Sequence, residues 1–564
     1  MGAIPLGCAS AAGSCTQFRH ASPELPTLDR ALSQSPTKRK GGAAALVATG
    51  ILASRIFGLV RQRVIAHYFG QSTDAADAFF AAFRIPNFLQ NLFGEGVLSA
   101  SMIPEYTRLI AAGKTYEARK LAGAVAGLLG ALVLVVVAVG VTAAPLLVGV
   151  IVPGFSGARR ELAITLVRIA FPGCGALVMS AWCLAILNSH RRFLLAYSAP
   201  VIWNVAIIAA TLWPHGLMPA EQRVLWTAWG AVVGSVLQIA VQLPLLLSLT
   251  GGVRFSLDLG NPRVRLVMKN FVPVFISRGV VQISAFIDAM IASLLPVGAV
   301  AVISNAQMLY LLPVSLFGMS VAAAELPEMS ESVGGGPERL EALRARIASG
   351  SSRIAYFIVP SGVAFMALGH MIAGLVLQSG AFSQRDADWV WATLAGSTVG
   401  LLATSVGRLL TSTYYALGDT RTPLRFAVLR VTLTLVLGYV AAIYGPRLFG
   451  VDSRYGTAGL TASAGVAGWV EFLLLRRGLA QRIGAFGMPR GMLPRLWGAA
   501  LGAAVLAWGT HLLLSPHTNS GFLRSIEAAS SLGVYTVTYG AATLALKLPM
   551  AQELWGRVSR GGRR

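Results

Sequence analysis

Charged residues are scarce in this chain. They make up 12% of its 564 residues, about half the share of an ordinary soluble domain. Hydrophobic residues make up 55%, and the mean hydropathy is +0.66. This composition excludes a disordered chain, a collagen and a small disulfide scaffold, and it argues against a cytosolic enzyme. The class that remains is an all-α polytopic membrane protein.

Cysteine and histidine are also few, and catalytic motifs are missing. The four cysteines and seven histidines have no metal-ligand spacing. The nearest phosphate-loop candidate, residues 113–115 (GKT), lacks its required first glycine because Arg108 stands there. No Ser/His/Asp set can be assembled. We therefore expect no metal, no cofactor and no enzymatic activity, with transport that is passive or driven by the membrane potential or an ion gradient.

What the chain does have is a series of long apolar runs with short polar breaks. A transmembrane helix needs about 20 such residues, and fourteen helices of that length use about half of the chain. We predict spans near residues 43–69, 75–103, 121–151, 162–187, 194–213, 224–249, 267–296, 299–326, 352–378, 387–417, 424–445, 456–475, 494–514 and 522–547.

The distribution of basic residues tests this count. If the N-terminus is cytoplasmic, the predicted inner segments hold 29 Lys and Arg residues, and the predicted outer loops hold seven. Cytoplasmic loops of membrane proteins collect Lys and Arg in this way. A miscount of one helix would destroy the contrast. The pattern therefore predicts fourteen spans with both termini cytoplasmic, and it accounts for most of the net charge of +23.

Short motifs recur in the same order at an offset of 223 or 224 residues. The matching pairs are 54–55 with 277–278 (SR), 92–94 with 316–318 (LFG), and 104–105 with 327–328 (PE). A repeat of six helices keeps both copies in the same orientation, because six is even. This predicts two parallel six-helix lobes, with substrate bound between them, plus two C-terminal helices outside the repeat.

The repeat and the composition divide the chain into five parts. Residues 1–42 are rich in Ser, Pro, Ala and Thr, and we expect a disordered cytoplasmic tail or an over-long start. Residues 43–250 form the predicted N-lobe (spans 1–6), and residues 251–480 form the predicted C-lobe (spans 7–12). Residues 481–550 hold the last two helices, and residues 551–564 form a basic cytoplasmic tail.

Charged residues inside the predicted spans are costly, at least about 2.5–3.5 kcal/mol each. They concentrate in the first two spans, at Arg55, Arg61, Arg63, Asp77, Arg84 and Glu95. We interpret Arg55, Arg61 and Arg278 as facing a cavity between the lobes. For Arg63, Glu325, Arg430 and Glu471 we favour ion pairing or snorkelling to the membrane surface. A cationic cavity needs an anion, and guanidinium groups match phosphate oxygens.

The first two spans resemble the MurJ (MviN) family of lipid II flippases, which belong to the MOP exporter superfamily. The resemblance rests on residues 54–61 (SRIFGLVR), 77–87 (DAFFAAFRIPN), 92–96 (LFGEG), 153–155 (PGF), 282–284 (QIS) and 415–423 (YALGDTRTP). It implies two six-helix lobes and two extra helices that form a groove for the lipid tail. It also implies a protein of the bacterial cytoplasmic membrane that moves lipid II, the peptidoglycan precursor, to the outer leaflet.

The resemblance further implies a central cavity whose cations bind the pyrophosphate of lipid II. The candidate residues for binding and transport are Arg55, Arg61, Asp77, Arg84, Asn87, Glu95 and Arg278. The implied partners are lipid II, membrane lipids and the cell-wall synthesis machinery, and no nucleic acid is expected.

Part of the family's charge set is missing. Gln90 stands where well-known members have an Arg. Gln307, Met308 and Leu311 stand where such members carry an Asp-Arg-x-x-Glu pattern in the eighth span. Arg278 lies at a position that is apolar in those members, and we hypothesise that it replaces the lost cation.

Three other functions stay open at this stage. A lipid-linked oligosaccharide flippase has similar charge requirements, and the signature of the second span argues against it. A drug or cation antiporter needs acidic groups to dominate its cavity, whereas Arg dominates here. A scaffold of the cell-wall assembly complex has no use for buried charges.

Overall fold

The computed structural model describes residues 37–93, 98, 101–213, 218–331, 337–515 and 521–561. Within these ranges the chain forms helices and connecting loops and no β-strand. The all-α membrane fold predicted from composition is therefore confirmed.

The helices of the first half are α1 (Thr37–Phe69), α2 (Asp74–Phe93), α3 (Ile103–Ala111), α4 (Thr115–Thr142), α5 (Ala144–Ile151), α6 (Gly157–Ser189), α7 (Phe193–Leu212) and α8 (Ala220–Thr250). Those of the second half are α9 (Pro262–Ser293), α10 (Ala299–Pro313), a π-helical turn (Val314–Met319), α11 (Ser320–Glu331), α12 (Pro337–Ala367), α13 (Gly369–Leu377), α14 (Gln384–Thr398), α15 (Leu401–Ala416), α16 (Arg421–Ile443), α17 (Gly445–Leu448), a 3-10 turn (Ser453–Tyr455) and α18 (Gly456–Ile483). The chain continues with α19 (Met492–Leu514), α20 (Gly521–Ala545) and α21 (Pro549–Gly561).

The helices follow the predicted spans closely. In the described part, eight helices are long and apolar enough to cross a membrane singly, and the number rises to ten if each of two bent pairs is one span. The pair α12–α13 is bent by 83° and the pair α14–α15 by 46°. Four more long helices, α1, α2, α9 and α20, lie at the remaining predicted spans. The predicted fourteen spans are compatible with this set.

One boundary differs from prediction. Helix α1 begins at Thr37, so the last six residues of the predicted tail are helical. The reason is that Lys and Arg, which fill positions 38–40, are good helix formers and continue the helix outward from the span. The rest of the predicted tail, residues 1–36, lies outside the described residues. In the second span, the helix Asp74–Phe93 is continuous through Pro86, and residues 94–97 and 99–100 lie outside the described residues, so the predicted end near residue 103 stays a prediction.

Helices of each half of the chain pack on one another. In the first half, α8 packs on α6 and α7, α2 on α6, and α1 on α7. In the second half, α16 and α14 pack on α18, and α12 packs on α15. The pair α19 and α20 packs together and lies against α12 and α13. The halves meet where α2 contacts α9 and α10, and where α1 contacts α13.

The family-like segment 415–423 forms a capped turn. Gly418 has φ +77°, a left-handed conformation that favours glycine. The Asp419 carboxylate accepts hydrogen bonds from the backbone N–H of Arg421 (3.0 Å) and Thr422 (2.9 Å) and from the Thr422 hydroxyl (2.7 Å). Arg482 lies 2.7 Å from the same carboxylate. The bonds from Thr422, with Arg482, hold the pKa of Asp419 well below its usual range.

We expect Asp419→Ala to lower the free energy of unfolding by about 1 kcal/mol, the usual cost of losing a helix cap. Asp419→Asn keeps an acceptor for the backbone N–H groups and should lose less. Because the folded pKa is lowered, the ionised carboxylate stabilises the fold fully at neutral pH and stops doing so only as pH falls through the folded pKa. Thermal unfolding of the two variants in detergent at pH 5 and pH 7 tests this. An equal loss in both variants, or a loss that disappears by pH 5, contradicts it.

Candidate functional site

Asp77 joins the two lobes. It lies in the first turn of α2 and is 1% exposed. Its carboxylate accepts hydrogen bonds from the backbone N–H of Gly298 (2.8 Å) and Ala301 (3.0 Å), at the N-terminus of α10. Arg159 donates to it from 3.2 Å. Helix N-termini have unsatisfied N–H groups and carry partial positive charge, so the carboxylate of one lobe caps a helix of the other.

A chain of amide side chains extends this contact along α1 and α10. Gln71 donates to the Gly298 carbonyl (3.1 Å), and Asn305 donates to the Gln71 side chain (2.6 Å). Gln62 in turn donates to Asn305 (2.5 Å). All three side chains are buried. Buried amides need such partners, so this network fixes α1 against α10.

The C-terminal part of α1 binds the bent pair α12–α13. The Arg63 guanidinium donates to the carbonyl of Leu375 (2.5 Å) and more weakly to that of Val376 (3.2 Å), near the C-terminus of α13. The backbone N–H of Ala381 donates to the His67 carbonyl (2.8 Å). Arg63 was expected to be ion-paired or to snorkel. It is bound by carbonyl groups instead, because a helix C-terminus attracts a cation.

Two glycines allow the lobes to approach this closely. A Cβ at Gly298 would lie 2.9 Å from the Gln71 carbonyl oxygen, and its φ of +99° is strained for other residues. A Cβ at Gly154 would lie 2.1 Å from the Ser293 carbonyl oxygen. We call the cross-lobe contacts of Asp77, Arg159 and Gly298 the outer latch, because α1 ends and α2 and α10 begin on the predicted outer side.

Arg61 lies deeper, on α1, and has no carboxylate partner among the described residues. Its guanidinium carbon is 5.0 Å from the centre of the Trp203 ring. Its Nε is buried without a hydrogen bond among the described residues, and no ion pair of Arg61 occurs there. A buried cation is costly unless it is compensated. The Trp203 face supplies part of that compensation.

The other predicted site residues have different surroundings. Arg55 is exposed, and in the described part of the chain it makes no ion pair. It lies six residues from Arg61, about 9 Å along the helix axis. Arg84 is partly buried, donates to Ser304 (3.4 Å) and interacts electrostatically with Asp288 of α9. Arg84 therefore points toward the C-lobe.

Three predicted site residues cannot be placed in the cavity. Asn87 and Arg278 lie on the helical backbone of α2 and α9, but their side chains are outside the described part. Glu95 lies outside the described residues altogether. The roles expected for these residues stay predictions.

The positions that depart from the family pattern have well-defined surroundings. Gln307 donates to the Asp288 carboxylate (3.4 Å). Met308 is partly buried against the core, and Leu311 is 42% exposed. The eighth span thus supplies an amide and apolar surface at the positions where the family pattern has charges.

Sequence reasoning missed several residues of this site. Arg159 was counted as an outer-loop charge, and only its place shortly after the motif 153–155 connects it with Asp77. The buried amides of Gln62, Gln71 and Asn305 were not singled out, although polar residues in apolar spans are a signal in themselves. Arg430 and Glu471 were expected to pair, and their side chains lie 3.3 Å apart.

Comparisons with known proteins agree on the family. The model of the family described as Lipid II flippase MurJ matches residues 65–526. The Lipid II flippase MurJ of Burkholderia cenocepacia is 31% identical over 78% of this chain and 84% of its own length. The Probable lipid II flippase MurJ of Vibrio cholerae is 28% identical over 78% of this chain and 83% of its own length.

Solved structures show the same fold. A lipid II flippase MurJ in an inward closed conformation superimposes with a TM-score of 0.70 at 23% identity, over 89% of this chain and all of that chain. An inward-facing multidrug resistance MATE transporter of the MOP superfamily superimposes with a TM-score of 0.58 at 20% identity, over 76% of this chain and 95% of that chain. From the family match over residues 65–526, this multi-pass membrane protein belongs to the lipid II flippase MurJ family.

Proposed function

We propose that the protein moves lipid II from the inner to the outer leaflet of the bacterial cytoplasmic membrane, without making or breaking a covalent bond. The observation that carries this proposal is Arg61, a partly buried arginine within the N-lobe whose Nε is buried without a hydrogen bond and which has no ion pair among the described residues. A pyrophosphate group supplies the negative charge and the oxygen acceptors that this guanidinium lacks. The names of the relatives supply the identity of the lipid.

Alternating access is the mechanism that fits these contacts. The outer latch and the amide network connect the lobes at the predicted outer end. At the opposite end, contacts run through the segment that links the lobes: Lys120 lies 3.2 Å from Asp258, and Arg263 lies 2.7 Å from Glu117. This arrangement supports a state that is closed to the outside. Release of lipid II there requires the latch to open.

The membrane potential is our candidate energy source. An inside-negative potential favours outward movement of an anion by about 2.3 kcal/mol per charge per 100 mV. The same field favours the inward return of an empty cationic cavity. No cofactor is needed for this cycle. The basic inner segments support an orientation with both termini in the cytoplasm, where lipid II precursors and the cell-wall synthesis machinery are available as partners.

Export of another substrate on the same fold is the second candidate, because MATE transporters share the architecture. A drug or cation antiporter requires an acidic cavity. Here Arg61 lacks a counter-ion within the described residues, and the buried Asp77 is bound to Gly298, Ala301 and Arg159. This charge balance favours an anion and therefore the flippase.

The first prediction concerns Arg61. In cells depleted of their own lipid II flippase, this chain should restore the exposure of lipid II at the outer leaflet. Arg61→Ala should lower that exposure at least about tenfold, since a charge-assisted hydrogen bond is lost. Arg61→Lys should lose less, because it keeps the charge. Lipid II accessible to an external probe is the measurement, with the amount of protein in the membrane checked for each variant.

The matched control is Arg447→Ala, which removes an exposed arginine of α17 and should leave exposure unchanged. If Arg61→Ala behaves like this control, the cavity site is wrong although the function stands. If the unmodified chain restores no exposure while it is present in the membrane, the flippase proposal fails.

The second prediction concerns the outer latch. Asp77→Asn removes the charge that caps α10, so the closed state should become less favourable and open about tenfold more often. A cysteine at Ser304, one turn beyond Ala301, reports this opening in a background without the four native cysteines. Its labelling by an external membrane-impermeant thiol reagent should become faster.

Asp74→Asn is the matched control for the latch. Asp74 lies one turn before Asp77, and its carboxylate comes no closer than 3.8 Å to the Arg159 guanidinium. We expect less than about a twofold change there, because the Asp74 carboxylate is 45% exposed and long, solvated ion pairs contribute little. Equal labelling rates for Asp77→Asn and the unmodified latch would show that the contact does not hold the lobes together.

The third prediction concerns the potential. In proteoliposomes, an imposed potential that favours outward anion movement should speed lipid II flipping, and the reverse potential should slow it. A rate independent of the potential contradicts this energy source, while the flippase proposal is unaffected.

A further inference from the structure

A polar stripe runs along α15 within a membrane span. Thr404, Arg408, Thr411 and Tyr415 recur at intervals of three or four residues and therefore share one helix face. Arg408 and Tyr415 are exposed, whereas Leu409 and Tyr414 on the other faces are buried. A lipid-facing helix has the opposite pattern, as α16 does with exposed Leu424, Val428 and Val436. The stripe therefore faces a water-filled space.

Arg408 is the charged member of this stripe, and in the described part of the chain it makes no hydrogen bond or ion pair. It lies about 12 Å from the inner end of α15. Tyr310, Arg430 and Glu471 are close enough to interact with it electrostatically. The Tyr310 hydroxyl is 2.8 Å from that of Thr404, which fixes α10 against the stripe.

Arg430 and Glu471 complete the neighbourhood. Their side chains lie 3.3 Å apart and are 27% and 16% exposed. The Asp288 carboxylate interacts with both Arg84 and Arg430. Arginines and carboxylates therefore alternate from Arg84 of the N-lobe to Arg408 of the C-lobe, with three guanidinium groups and two carboxylates. One positive charge is left over in this row, at the Arg408 end.

We propose that Arg408 and Arg430 form a second anion site, in the C-lobe, that binds a phosphate or pyrophosphate group, and that Glu471 is its displaceable internal counter-ion. In the empty site Glu471 neutralises Arg430. When a phosphate group arrives, it binds Arg408 and takes the place of Glu471 on Arg430. Guanidinium groups bind phosphate oxygens in paired geometry. The site supplies cations in the C-lobe, where Met308 supplies none. Its place on the transport path rests on the proposed function, but its binding chemistry does not.

The experiment measures binding of inorganic pyrophosphate to the full chain in detergent by calorimetry, in an Arg61→Ala background that removes the N-lobe candidate. Arg408→Ala should weaken binding about tenfold. Glu471→Gln should strengthen it about tenfold, because Arg430 loses its competing carboxylate. Arg447→Ala is the control and should change nothing.

The opposite effects of Arg408→Ala and Glu471→Gln on pyrophosphate affinity distinguish this site from a purely structural ion pair. A structural pair predicts that Glu471→Gln destabilises the protein and does not strengthen binding. Unchanged or weaker binding in Glu471→Gln at an unchanged melting temperature overturns the proposal, and so does unchanged binding in Arg408→Ala. If Glu471→Gln does not fold, Arg408→Lys is the deciding variant. It should retain part of the pyrophosphate affinity that Arg408→Ala loses. An equal loss of affinity in the two variants overturns the proposal.

Competition identifies the natural source of the phosphate. Displacement of pyrophosphate by lipid II at lower concentration than by phosphatidylglycerol assigns the site to the transported lipid. Equal displacement assigns it to membrane phospholipid, and either result supports the site. Failure of lipid II exposure in cells, by contrast, concerns the flippase proposal and leaves these binding results as they are.

Discussion

The contact on which the rest depends is the binding of N-lobe side chains to the helix ends of the C-lobe. Asp77 caps the N-terminus of α10, and Arg63 binds carbonyls at the C-terminus of α13. A helix end has unpaired backbone groups and a partial charge. At a dry interface, only the partner lobe can satisfy them. When the lobes separate, water must replace every one of these bonds, so closed and open are distinct states rather than a continuum.

Charged residues have different surroundings at the predicted outer end of the molecule and deeper inside it. The acidic group at the predicted outer end is bound and buried, so it holds the lobes together. Deeper inside, Arg61 is left without a carboxylate in the described part of the chain. A protein that keeps a buried cation unpaired bears a cost, and a bound anion offsets that cost. Under the proposed function, closure and substrate binding thus use different residues, and each can change without the other.

Much of this was predictable from the sequence, and the parts that were not have physical reasons. Apolar runs and basic loops predicted the spans, because membrane thickness and topology act on each segment locally. The partners of Asp77 were hidden because backbone N–H groups have no sequence signature. Arg63 was misjudged because its acceptors, the carbonyls of Leu375 and Val376, lie 312 residues or more away. The stripe with Thr404 and Arg408 has helical spacing in the sequence, but spacing alone does not show that this face of the helix is exposed.

The C-lobe half of the outer latch consists of main chain, and this affects how the sequence can diverge. Side chains of α10 take little part in holding Asp77. Residues that depart from the family pattern, such as Gln307 and Met308, can therefore occur in this helix while the outer latch is kept. Gly298 is the exception, because its φ of +99° and the nearness of Gln71 exclude a side chain. The residue that caps α10 is therefore fixed by geometry, whereas side chains of the helix that lie outside the buried amide network can vary without weakening the contact with Asp77.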